Sequence, residues 1–150
     1  MVEPFFFGLG LVNSICLIAI FMTRRWNLAL LEKVGWLYLL LALPAVYGLV
    51  LVQQEHASLQ YTIFLVIFLA FLLIEALYDW IWKIPFREEM NWPALVPYAA
   101  LYLASTYGFV VMPWRASPQQ RIIMLALFVA QILANVLTHP RSLKMPSSRG

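Results

Sequence analysis

Five long apolar runs, separated by short polar links, set the pattern of this chain. They cover residues 5–22, 35–52, 61–77, 93–112 and 122–137. A hydrocarbon core about 30 Å thick needs about 20 apolar residues in helical form, with a working range of about 17–25. The first four runs meet that length. The fifth is shorter and holds Gln131 and Asn135, so it spans only where neighbouring helices shelter those amides. Strands of an open sheet leave backbone groups unpaired in lipid, which leaves helices as the expected spans. The first run lacks a basic segment before it, and Arg24 and Arg25 follow it, so it reads as a retained span and not a cleaved signal.

The links carry an orientation. Arg24, Arg25 and Lys33 follow the first run, Lys83 and Arg87 the third, and Arg141, Lys144 and Arg149 the fifth. The link QQEHAS after the second run has no Lys or Arg, and Arg115 and Arg121 follow the fourth. Alternating spans therefore put eight of the ten basic residues on one side. Basic links stay cytoplasmic, so the amino terminus is expected outside and the carboxyl terminus inside. Trp26, Trp36, Trp80, Trp82, Trp92 and Trp114 stand at or near run boundaries. Indole favours that level, with its ring in hydrocarbon and its N–H toward water.

Composition agrees with a bilayer as solvent. The 150 residues are 63% hydrophobic and 11% charged, against roughly 25% charged in soluble domains. The net charge of +3 is explained by topology and is not a nucleic-acid signal. Cys16 is the sole cysteine, which excludes an intramolecular disulfide. The expected class is an all-α integral membrane protein of five transmembrane helices, multi-pass in the plasma (inner) membrane. Residues 1–139 form one helical domain, and residues 140–150 a flexible cytoplasmic tail.

A shift of 60 residues lays the second half of the chain on the first. Tyr47-Gly48 falls on Tyr107-Gly108, Tyr38 on Tyr98 and Gln60 on Gln120, and 13 of 42 positions are identical without a gap. The register predicts tandem repeats over about 37–78 and 97–138, with helices 2-3 and 4-5 related by a pseudo-two-fold axis. The first span is extra to that unit and suits either covering an open flank or oligomerisation.

Candidate chemistry sits at the inner ends of the third and fifth spans. Glu75 and Asp79 are one helical turn apart and share a face. Their repeat partners are Asn135 and His139, and Gln131 extends that stripe by a turn. If the stripes face each other, these five border one cytoplasmic-side cavity able to hold a proton, a small cation or an amphiphile. An ionisable group in a span is costly and so reads as functional. The bland alternatives are that Glu75 reaches back to the interface, that Asp79 pairs with Lys83, and that the amides are interhelical glue. The link DWIWKIPFREEMNW reads as an interfacial connector, with Trp80 and Trp82 in acyl chains and Arg87 on a lipid phosphate. Asn13-Ser14 and Ser105-Thr106 are expected to hydrogen-bond within or between helices. Pro44 and Pro97 are expected to kink their spans.

No GxSxG, HExxH, phosphate-loop or haem-attachment motif is present. No metal or cofactor is implied, and no residue is assigned as catalytic. The expected function is binding or translocation of a small cation, proton or amphiphile, with membrane lipids as partners. The alternatives are a scaffold or accessory subunit of a larger or homo-oligomeric membrane complex, and a lipid-modifying enzyme.

Overall fold

The computed structural model describes residues 1–84 and 91–138. Their regular structure is helical, in five spans: α1 (Val2–Trp26), α2 (Leu28–Gln54), α3 (Leu59–Ile81), α4 (Trp92–Arg115) and α5 (Pro118–Thr138). Each has 21 to 27 residues, or roughly 30–40 Å of helix at about 1.5 Å per residue. All five are long and apolar enough to cross a membrane, and the chain is a multi-pass membrane protein by that criterion.

The spans are longer than the apolar runs because the links themselves fold. The link between α1 and α2 is almost wholly helical. Only Asn27 interrupts it, and its Oδ1 accepts the Leu30 N–H at 3.0 Å. Such a cap starts a new helix at once, and LALLEKV supplies strong helix formers to extend it. After α2 the chain turns at His56, at φ 48°. The His56 and Ala57 N–H groups bond back to the Gln53 and Val52 carbonyls. This is a Schellman closure, with a left-handed residue just past the helix. Ser58 then caps α3. Pro113 sits in the tight turn Met112–Arg115 that ends α4.

Successive spans run antiparallel, so the helix ends gather on two faces. On one face the amino-terminal ammonium meets Glu55 at 3.0 Å, and Arg115 donates to Gln60 at 3.4 Å. The Glu55 carboxyl is held below the usual carboxylate range, first by that ammonium and then by the Val2 N–H. On the other face Arg25 Nη1 donates to the Leu137 carbonyl at 2.8 Å, tying the end of α1 to the end of α5.

The spans form a ring in chain order. α3 packs on both α2 and α4, and α1 closes the ring between α5 and α2. The principal neighbour of α5 is thus α1. The centre is aromatic: Phe6, Phe68, Phe71 and Phe109 are fully buried, with Leu65 and Met124 among them. Phe109 meets Phe6 and Phe68 at ring distances of 5.0 Å each. Leu43, Leu73, Leu103, Ile122 and Leu133 point outward, as expected of surfaces solvated by lipid.

Candidate functional site

A 3₁₀ stretch of α2 and a π stretch of α3 depart from α geometry, and they touch. Residues Gly35–Leu41 of α2 wind as a 3₁₀ helix. Pro44 lies just beyond it. Its missing N–H and bulky ring disturb the α ladder around Leu40, and the segment before it tightens. Residues Ala76–Ile81 of α3 widen into a π-helical turn, closed by Trp82 N–H to the Leu77 carbonyl at 2.7 Å and Ile84 N–H to the Tyr78 carbonyl at 2.9 Å. Lys83 takes the left-handed position between those bonds, at φ 48°. Helical irregularities of both kinds recur at functional sites.

The π turn forms one wall of a cavity of about 1160 Å³. Glu75, Tyr78, Asp79 and Trp80 line it from α3, with Lys83 and Ile84 after them. Ile20, Arg24 and Arg25 come from α1, and Leu28, Leu31, Glu32 and Gly35 from α2. Val136, Leu137 and Thr138 close it from α5. A Cβ built on Gly35 would lie 3.5 Å from Trp80 Cζ2, in ordinary van der Waals contact with the indole. The charged lining residues balance, with Arg24, Arg25 and Lys83 against Glu32, Glu75 and Asp79. Arg25, Glu32 and Lys83 are exposed at the mouth, and Glu75 is only 8% exposed. Glu75 lies six residues inside the end of α3, roughly 9 Å by helical rise. At about 4 Å two unit charges interact by about 4 kcal/mol in a partly buried setting and about 1 kcal/mol in water. Glu75 is therefore the charged group of this wall whose partners are least screened.

Beyond the cavity floor lies a buried polar layer. The Tyr38 hydroxyl donates to Asn13 Oδ1 at 2.7 Å. Gln131 Nε2 donates to the Tyr102 hydroxyl at 2.6 Å and reaches Thr106 Oγ1 at 3.5 Å. Thr106 and Ser105 each bond the Tyr102 carbonyl. Gln131 Oε1 is buried with no hydrogen-bond partner among the described residues. Above this layer the aromatic core seals the bundle.

The candidate residues thus divide. Glu75, Asp79 and Trp80 share the cavity. Gln131 belongs to the layer between α4 and α5, and Asn135 is half-buried on α5 outside the lining. Trp82 is exposed, with its ring 6.1 Å from that of Tyr78. Arg87 and His139 lie outside the described residues. The expected connector begins later than its sequence suggests, because Asp79, Trp80 and Ile81 belong to the last turn of α3. Arg24, Arg25, Glu32, Tyr78 and Thr138 were not foreseen as cavity residues. For Arg24, Arg25 and Glu32 the only sequence signal is a mixed-sign link at the level of Glu75 and Asp79.

Comparison with protein-family models, curated proteins and solved structures finds no match to this chain. Ligand pockets commonly measure about 300–1,000 Å³ and combine apolar walls with a few polar anchors. At about 1160 Å³ this cavity lies just above that range. It is oversized for a bare cation and mixed enough for a molecule with a charged end and an apolar body.

Proposed function

We propose that this protein binds an amphiphile in the cavity between α1, α2, α3 and α5, with the cavity open to the cytoplasmic side of a plasma (inner) membrane. The single observation that carries this reading is the cavity itself, charged and apolar together, beside the 3₁₀ segment of α2 and the π turn of α3. The orientation rests on the basic residues. Arg24, Arg25, Lys33 and Lys83 belong to the cavity face, and Arg115 and Arg121 to the other, which makes the cavity face cytoplasmic. The packed aromatics beyond Tyr38 favour binding or one-sided exchange over a continuous passage. A tandem origin of α2-α3 and α4-α5 is part of the same proposal. In its support, Gly48 and Gly108 are both buried while Tyr47 and Tyr107 are both exposed. In that scheme α1 is an added helix that fills the flank between α5 and α2.

The test is purification in a mild detergent followed by mass spectrometry of co-eluting small molecules. One amphiphile class should be enriched over the bulk membrane lipids. Gly35→Phe, which builds a ring into the cavity wall, should reduce that enrichment by at least about tenfold. Bulk-like lipid in both proteins would refute the reading.

A further inference from the structure

A second recess, of about 260 Å³, opens on the opposite face of the bundle, between the start of α3 and the end of α4. Ile63 and Phe64 of α3 and Tyr107 and Val111 of α4 give it an apolar lining, and Gln60 and Arg115 form its polar end. Tyr107 is eight residues before Arg115, roughly 12 Å by helical rise, so the recess runs from the helix ends into the apolar length of the spans. Ile63 and Tyr107 are exposed, and the recess therefore opens sideways, toward lipid. Pockets for whole small molecules measure about 300–1,000 Å³. This smaller one suits a length of hydrocarbon chain below a polar group. The charges at its polar end are unbalanced. Arg115 is exposed, and it donates to the neutral Gln60 Oε1 at 3.4 Å, a long contact. Among the described residues no carboxylate pairs with it, and Glu55 on the same face meets the amino-terminal ammonium instead. Arg121, the other basic residue of this face, is placed differently, with its guanidinium 5.0 Å from the centre of the Trp114 ring. The bias that explains basic inner links does not explain Arg115. A guanidinium forks onto phosphate oxygens through charge-assisted bonds about twice as strong as neutral ones. With no acid paired to Arg115, the polar end offers no partner to an ammonium head, and its complement is a head of net negative charge.

We propose that the recess between α3 and α4 seats one anionic phospholipid, of the phosphatidylglycerol type, from the leaflet on that face. Its phosphodiester lies on Arg115 with the Gln60 amide beside it. One acyl chain lies along Ile63, Phe64, Val111 and Tyr107. The proposed orientation makes this the outer leaflet. The site is separate from the cavity between α1, α2, α3 and α5 and does not depend on what that cavity holds.

The experiment is native mass spectrometry of the full chain in a mild detergent, titrated with dioleoyl phosphatidylglycerol or dioleoyl phosphatidylcholine. The first lipid held should be phosphatidylglycerol, bound at least about fivefold more tightly than phosphatidylcholine. Arg115→Gln should weaken it at least about tenfold, the range of a hydrogen bond to a charged group. Ile63→Trp keeps the arginine and fills the recess, and it should weaken binding at least about fivefold. Both residues are exposed, so both variants should fold. Arg121→Gln makes the same change of charge on the same face and should leave binding within about twofold. Gly35→Phe alters the larger cavity and should leave this binding unaltered, so the two readings fail separately. Equal binding of the two lipids would overturn the proposal, as would full binding to Arg115→Gln. Equal losses in Arg115→Gln and Arg121→Gln would assign the effect to the charge of the whole face and overturn the site. Full binding to Ile63→Trp would remove the acyl chain from the recess. Loss in Gly35→Phe alone would move the lipid to the larger cavity.

Discussion

Gly108 and Gly8 stand in spans of one bundle and carry opposite constraints. A Cβ on Gly108 would overlap the ring of Phe64 and lie 3.0 Å from its Cβ, which is fixed to the α3 backbone. Nothing lies within 4 Å of a Cβ on Gly8. Gly108→Ala should therefore destabilise the bundle by about 1–3 kcal/mol, the usual cost of overpacking. Gly8→Ala should be neutral or slightly stabilising. Thermal unfolding in one detergent compares the two. Equal melting temperatures would mean that α3 and α4 do not approach as described. The charged residues differ in how legible they were. Glu75 and Asp79 stood out because a charge in an apolar run needs a reason. Arg24, Arg25 and Glu32 did not, because basic and acidic residues in a link are already explained by topology. Gln131 and Asn135 share a helix face by their spacing, but spacing does not say which neighbour meets it. Gln131 pairs with Tyr102 and Thr106 of α4.

At the scale of the element, apolar length and boundary tryptophans were enough to give five helices. Their ends were harder to read, because caps and helix-forming links extend a helix past its apolar run. The 3₁₀ and π segments were beyond sequence reasoning except at Pro44, whose missing N–H is a local cause. The π turn has no comparable local signal, and it meets the 3₁₀ segment only when α2 and α3 pack. The left-handed closure at His56 offers a cleaner test of an element end. An L-residue there bears a cost of about 1–2 kcal/mol that glycine avoids. His56→Gly should raise stability by about 1 kcal/mol, and the β-branched His56→Val should lower it. Thermal melts of the two variants should bracket the parent protein. A destabilised His56→Gly would contradict the closure.

At the scale of the molecule, the cavity exists because of the order of helices around the ring. α1 lies between α5 and α2, so its Arg24 and Arg25 face the π turn of α3 across the cavity. No periodicity within one helix reports that order, which is why four spans converging on one space could not be read from the chain. The proposed cavity opens to the inner side and holds an amphiphile. Labelling of single cysteines with a membrane-impermeant maleimide tests it most directly, in a Cys16→Ala background. Thr138→Cys lies in the cavity wall, and Ser58→Cys in the link on the opposite face. Ser58→Cys should label on intact cells only. Thr138→Cys should label in inverted vesicles only, and saturation with the co-eluting amphiphile should slow that reaction at least about fivefold. Labelling of Thr138→Cys from outside, or no reaction from either side, would contradict the account.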